Sequence, residues 1–166
     1  MRRKDREIES PEEKLRILDG CTVCRLAMAD NNEPYIVPLN FGYTYKDEVL
    51  TLYFHSAREG KKIDIMKKNA RVCFEMDGGH SLVEADTACG YGYAYESVTG
   101  SGSVVFIEDP AEKAFGLNML MKRQTGKGDF AFPESALAGL AVYKVVASSF
   151  TGKKRPAPES AVPLTR

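Results

Sequence analysis

The residues most able to do chemistry lie in the segment 53–62, which reads YFHSAREGKK. An aromatic, strand-like run ends here in polar residues and passes through Gly60 to two adjacent lysines, Lys61 and Lys62. A helix that starts at these lysines would present unpaired backbone N–H groups and a partial positive charge, to which the ammonium groups add full charges. This pattern predicts a site for an anion, and a phosphate group matches it best.

The charge of the surrounding segment allows two interpretations. Residues 58–71 contain six cationic side chains and two carboxylates. Such a run is often no more than the solvated face of a helix. The position of Ser56, Lys61 and Lys62, around a strand end and a helix start, favours the anion site.

Histidines and cysteines are the other candidates for chemistry. His55 ends the aromatic run, where a histidine either packs and hydrogen bonds or lies beside a bound group, whereas His80 is expected in a loop. Cys21 and Cys24 lack the second ligand pair of a zinc site and the strand–helix setting of a thioredoxin-like motif. We therefore predict four free thiols buried in the core and no metal site.

Length and composition limit the classes of protein that are possible. A chain of 166 residues with 43% hydrophobic residues suits one domain with a packed core. Lysine and arginine total 23, as do aspartate and glutamate, so a general nucleic-acid binder is not expected. No apolar run reaches the roughly 18 residues of a membrane span, and the N-terminus is charged, so we expect a cytoplasmic protein without membrane attachment.

Alternating and helical patterns then predict the elements that carry these residues. Ser10 and Asp109 each precede a proline and stand three residues before a glutamate, which indicates helix starts. A third helix is predicted over 60–69. Strands are predicted in six segments, which are 22–29, 35–45, 49–55, 71–76, 98–107 and 138–150. Short hairpins and few helices indicate a mainly β fold, a barrel of six antiparallel strands, with one domain over 1–155 and a flexible tail over 156–166.

Several short motifs, in this order and spacing, resemble one known family. They are the charged start at 1–6, YIVPLNF at 35–41, YFHSAREGKK at 53–62, NARV at 69–72, Ser97-Val98 with Gly102, and TGK at 151–153. Together they make the chain similar to the FMN-binding split-barrel proteins related to pyridoxamine 5′-phosphate oxidase. The similarity extends over about residues 1–155 and is greatest to the Nim nitroimidazole-resistance branch.

The resemblance implies FMN held at a homodimer interface. Lys61 and Lys62 match the basic pair that holds the FMN phosphate, and His55 with Ser56 match the strand end before it. The strand whose backbone follows the flavin ring is matched by four consecutive residues, Val37, Pro38, Leu39 and Asn40. Ser97 matches a polar contact supplied by the partner subunit. In the Nim branch a histidine in this segment lies beside the flavin, so the resemblance gives His55 as a candidate catalytic residue.

The function implied is an oxidoreductase that passes electrons from a reduced donor through FMN to a small aromatic or nitroaromatic acceptor. A flavin-binding or storage module without turnover is the alternative, because both would share the binding motif. Pyridoxamine-phosphate oxidase activity is a weaker alternative, since the arginine pattern of that family's C-terminus is not matched by the segment 153–155. Haem in place of flavin also stays open.

Overall fold

Two helices begin where the sequence places a capping side chain before a proline. In the computed structural model, which describes residues 3–157 and 162–163, the Ser10 hydroxyl accepts a hydrogen bond from the Glu13 N–H at 3.3 Å. The Asp109 carboxylate accepts one from the Glu112 N–H at 2.8 Å. The α-helices of the described residues are α1 (Pro11–Gly20), α2 (Lys61–Lys68), α3 (Pro110–Thr125) and α4 (Glu134–Gly139). The sequence predicted all of these except α4, which covers the first two residues of the strand expected over 138–150.

Loss of the Asp109 cap gives a first prediction. Asp109→Ala leaves the N–H of Glu112 without its partner, so we expect the free energy of unfolding to fall by about 1 kcal/mol. Urea denaturation followed by circular dichroism measures it. Asp109→Asn should restore most of the loss, and Asp129→Ala, which removes an exposed carboxylate, should change little. Equal stability of Asp109→Ala and Asp129→Ala would contradict the prediction.

The strands form an open sheet rather than a closed one. In chain order they are β1 (Glu7–Ile8), β2 (Cys24–Asp30), β3 (Glu33–Leu39), β4 (Gly42–Lys46), β5 (Val49–Ala57), β6 (Arg71–Val83), β7 (Gly92–Ile107), β8 (Leu140–Arg155) and β9 (Val162–Pro163). Within the described residues the order along the sheet is β3-β2-β6-β7-β8-β5-β4, with the two-residue strands β1 and β9 paired to β8 and β6. The pairs β2–β3, β4–β5 and β5–β8 are antiparallel. The predicted class, mainly β and of the split-barrel type, is confirmed.

The strands differ from the six that were predicted at several places along the chain. The run 35–45 divides into β3 and β4, because the chain leaves the strand conformation at Asn40 and Phe41. Gly78 and Gly79 do not end β6, although Gly79 has a left-handed φ of 64°. Two hairpin turns use left-handed residues, with φ of 48° at Asn31 and 50° at Asp47, as two-residue turns between antiparallel strands require.

The described residues group into two compact units. The first unit comprises those within Met1–Cys21, Glu75–Thr99 and Phe150–Arg166, and the second unit comprises Thr22–Phe74 and Gly100–Ser149. A single domain over 1–155 stays a prediction. The flexible tail predicted over 156–166 lies mostly outside the described residues. Among the residues that are described, no helix is long and apolar enough to span a membrane.

Core packing in the second unit fixes the strand that leads to the candidate site. Phe54 on β5 is fully buried and stacks on Tyr143 of β8, with ring centroids 5.6 Å apart. On the opposite face of β5, Tyr53 packs edge-on against Phe115 of α3. β5 is therefore held on both faces up to the residue before His55.

The cysteines match the prediction only in part. All four are free, as predicted, and Cys21 and Cys24 are buried. Cys73 and Cys89 are exposed, so the prediction of four core thiols is wrong for these two. The error at Cys73 arises because it lies on the outward side of β6, between Val72 and Phe74, which point into the core.

Candidate functional site

The candidate site begins where β5 ends and α2 starts. β5 runs to Ala57, and Gly60 then adopts a φ of 129°, a conformation that side chains other than glycine rarely take. This glycine occupies the position before the first turn of α2. The sequence order of strand, glycine and two lysines therefore produces the predicted strand-to-helix junction.

The first turn of α2 keeps two donors free for a ligand. The Gly60 carbonyl accepts hydrogen bonds from the N–H of Ile63 at 2.8 Å and of Asp64 at 3.1 Å. No side chain caps the helix. The N–H groups of Lys61 and Lys62 consequently have no hydrogen-bond partner among the described residues, and they carry the positive end of the helix dipole.

The two lysines face different neighbours. The Lys61 ammonium lies 4.7 Å from the centre of the Tyr35 ring and 4.0 Å from a carboxylate oxygen of Glu33, both on β3. Lys62 is half-buried and acts electrostatically on His55. The start of α2 thus joins the beginning of β3 to the end of β5 in one cationic region.

β3 is the terminal strand of the described sheet, so one of its backbone edges is unpaired. Pro38, which has no N–H to donate, is compatible with this edge position. Val37 and Leu39 are half-buried and, by strand alternation, share a face with Tyr35, which Lys61 covers. Pro38 lies on the opposite, exposed face, and Asn40 is exposed just beyond the strand end.

His55 is exposed at its outer side, but its environment favours the neutral ring. Desolvation by the surrounding residues, followed by the positive charge of Lys62, lowers the pKa of His55 below its ordinary value. Residue His55 pairs in register with Val142 of β8. By strand alternation, its side chain lies on the same face of β5 as Tyr53. A neutral imidazole can donate a hydrogen bond from one ring nitrogen and accept one at the other without adding charge to the cationic region.

The pKa of His55 gives a second prediction. Because the folded protein holds a lower pKa than the unfolded chain, the unfolded chain binds the extra proton first, and this group costs stability as the pH falls below about 6.5. An NMR titration of the His55 ring should show a midpoint below 6.5. Lys62→Met should move the midpoint upward, and Lys46→Met, in a distant hairpin, should not. A midpoint at or above that of a free histidine would refute it.

The predicted site residues are divided between the two units. The second unit contains Val37, Pro38, Leu39, Asn40, His55, Ser56, Lys61 and Lys62. Ser97 is half-buried on β7 in the first unit. Ser56 donates its hydroxyl hydrogen bond to the neighbouring Ala57 carbonyl at 2.8 Å. The sequence did not predict that Tyr35 and Glu33 contact Lys61. The only signal was their spacing, because residues two and four positions before Val37 share its face of the strand.

His80 and the carboxylates form no competing centre. His80 lies within β6 and not in a loop, so that prediction is wrong, and its Nε2 lies 2.7 Å from a carboxylate oxygen of Asp77 in the first unit. Among the described residues, no three histidine, cysteine, aspartate or glutamate side chains are grouped as metal ligands would be. The junction at 55–62 with the edge strand β3 is therefore the strongest candidate site.

Known structures share this fold. A candidate 5-nitroimidazole antibiotic resistance protein of Bacteroides thetaiotaomicron is 36% identical, with a TM-score of 0.78 over 89% of this chain and 86% of that one. A FAD-binding protein of Mesorhizobium loti is 25% identical, with a TM-score of 0.63 over 91% and 98%. A FAD- and heme-binding protein of Mycobacterium smegmatis, at 18% identity and a TM-score of 0.79 over 92% and 74%, shows the fold alone.

Comparison with families of sequences agrees with the structural result. No match was found among curated proteins. The profile of the pyridoxamine 5′-phosphate oxidase family matches residues 10–154, which is most of the chain and includes both β3 and the β5–α2 junction. On this match and on the 36% identical structure, the chain belongs to the pyridoxamine 5′-phosphate oxidase family, in the branch of the nitroimidazole-resistance proteins.

Proposed function

We propose that this chain is a cytoplasmic FMN-dependent oxidoreductase, active as a homodimer, that passes electrons from a reduced donor to a small acceptor, of which nitroaromatic compounds are examples. The observation that carries the proposal is the junction at 60–62. It offers two unpaired N–H groups and two ammonium groups to one dianionic phosphate. The four free cysteines agree with a reducing compartment.

Each part of FMN has suitable residues in this chain. Lys61, Lys62 and the hydroxyl of Ser56 would hold the phosphate. A flavin ring needs flat apolar contact and a few backbone polar groups, and β3 offers both through Val37, Leu39 and its unpaired edge. Bound flavin would supply the electron transfer itself, so the protein's task is to bind, orient and shield it.

His55 is the residue best placed to act on protons beside this region. Its lowered pKa keeps the ring neutral near pH 7. The neutral ring can donate or accept a hydrogen bond without electrostatic repulsion from the neighbouring lysines. Ser97 would complete the ring's polar contacts from the partner subunit. Both roles are part of the proposal.

The homodimer is supported by an exposed apolar surface in the second unit. Ile36 is 59% exposed and pairs in register with Ala27 of β2, so both lie on one face of the sheet. An open groove of about 590 Å³ includes Ala27 in its lining, and most of the other side chains that line it are also small. These include Cys73 and Ser101, and small residues allow another surface to approach closely.

The relatives support flavin as the cofactor and a nitro compound as one acceptor. The 36% identical protein is described as a candidate in 5-nitroimidazole resistance. The protein of Mesorhizobium loti is described as FAD-binding. FMN, which carries a single phosphate, is the cofactor proposed here, because the free groups at 60–62 suit one phosphate.

The test is the absorption spectrum of the purified protein before and after FMN is added, followed by anaerobic stopped-flow reduction with NADH and NADPH. Flavin bands with tight binding and reduction faster than that of free FMN are expected. Bound flavin that is reduced no faster than free FMN would identify a binding or storage module. A protein that binds no FMN, or shows haem bands instead, would overturn the proposal.

A further inference from the structure

A separate cavity in the second unit is lined by cations that the flavin proposal does not use. It has a volume of about 170 Å³, well above the roughly 10–15 Å³ that one water needs. Its charged lining residues are Arg58, Lys67, Lys113 and Glu108. Three cations therefore face one carboxylate around a space large enough for a small anion.

Lys113 is the unusual member of this group. A lysine in a helix is normally exposed, but Lys113 on α3 is only 8% exposed. Its ammonium lies 3.5 Å from the Leu137 carbonyl oxygen and 4.0 Å from a carboxylate oxygen of Glu108. The Glu108 side chain is 84% exposed, so it is a weak counterion. Most of the donor capacity of this buried ammonium is thus unused by the described residues.

A buried cation whose counterion is exposed to solvent is costly, and a bound anion would reduce that cost. The guanidinium of Arg58 is fixed beside it by a hydrogen bond donated to the Ala138 carbonyl at 2.9 Å. Lys67, in the last turn of α2, adds a third charge to the lining. Apolar side chains, including Ile63 and Val142, line the rest of the cavity.

A neighbouring cavity of about 400 Å³ shares three of these side chains, Arg58, Glu108 and Lys113, but adds the carboxylate of Glu134. Its charged lining is therefore balanced, whereas that of the smaller cavity is not. The positive excess places an anion in the smaller cavity.

We propose that Lys113, Arg58 and Lys67 form a binding site for a small oxyanion, distinct from the junction at 60–62 and independent of flavin binding. Phosphate and carboxylate groups share the chemistry that these donors recognise. The ligand is a small free acid or phosphate, because a cavity of about 170 Å³ suits a small anion.

The experiment is an NMR titration of the full-length, 15N-labelled protein with inorganic phosphate and, in parallel, with acetate. The amides of Glu108, Ala138 and Leu140 are expected to shift. The tighter of the two anions identifies the ligand as a phosphate or a carboxylate. Lys113→Met should weaken binding about tenfold, as expected for loss of a hydrogen bond to a charged group. Lys122→Met, an exposed lysine on the same helix, should leave binding unchanged.

Two further variants separate this site from others and from misfolding. The double variant Lys61→Ala, Lys62→Ala removes the cations of the flavin site and should keep the shifts at Leu140. Lys67→Ala, an exposed residue that the fold does not need, should weaken binding roughly two- to fivefold, even if Lys113→Met fails to fold. Glu108→Gln should tighten anion binding, because it removes the one carboxylate from the charged lining.

The proposal is overturned if neither anion shifts these amides, or if Lys67→Ala and Glu108→Gln both bind as the unmodified protein does. It is also overturned if the shifts are confined to residues 60–62 and vanish in the double variant. None of these outcomes bears on the flavin spectrum, so failure of this site and failure of the proposed function are told apart.

Discussion

Lys62→Ala is expected to weaken FMN binding by about 1.5–3 kcal/mol, which is roughly 10- to 150-fold in the dissociation constant. Lys62 combines a side-chain charge with an unpaired N–H in the first turn of α2. Alanine keeps the N–H and the helix, so only the charged hydrogen bond to phosphate is removed. Quenching of FMN fluorescence on titration measures the change.

The controls for this result use the charges of the same unit. Lys46→Ala removes one exposed positive charge from the hairpin between β4 and β5 and should leave the dissociation constant within a factor of two. Riboflavin, which lacks the phosphate, should bind the unmodified protein and Lys62→Ala with similar affinity. An FMN dissociation constant unchanged in Lys62→Ala would place the phosphate elsewhere.

Gly42→Ala is expected to lower the free energy of unfolding by about 3 kcal/mol or more, because it forces β4 and α3 apart. A Cβ at Gly42 would lie 2.3 Å from the backbone carbon of Met119 and 2.5 Å from the backbone nitrogen of Leu120. These are backbone atoms of a helix, so no side chain can turn aside to relieve the overlap. For a chain of this size the loss corresponds to a fall in Tm of roughly 6–12 °C.

Differential scanning calorimetry tests this expectation, with Gly139→Ala as the matched control. Gly139 ends α4, and an added Cβ there meets nothing within 4 Å. It should change stability little or raise it slightly, since alanine favours the helix. If Gly42→Ala melts at the temperature of Gly139→Ala, the close approach of β4 and α3 is wrong.

Local sequence rules were sufficient for the helix starts and for the site junction. Ser10 and Asp109 cap the helices that they were predicted to cap, because a cap involves atoms only three residues apart. The junction at 60–62 could be predicted in the same way, because Gly60, Lys61 and Lys62 are consecutive residues at the start of one helix. Predictions at this range depend on neighbours along the chain and need no knowledge of packing.

Errors arose where the outcome depended on partners far away in sequence. β6 continues past Gly78 and Gly79 because pairing with neighbouring strands outweighs the local preference of glycine for turns. Cys73 is exposed although its neighbours are buried, because alternation along β6 gives it the outward side. Neither the length of β6 nor the exposure of Cys73 can be predicted without knowing how the strand is paired and which of its faces is covered.

By itself the sequence determined the class of fold, the junction that presents Lys61 and Lys62, and the resemblance that named the family. Only the tertiary structure decided that Lys61 lies over Tyr35, that β4 touches α3 at Gly42 and that the ammonium of Lys113 is buried beside Arg58. The physical reason is the range of the forces involved. Capping and turn preferences act between neighbours along the chain, whereas burial and charge clustering are fixed only when distant elements pack together.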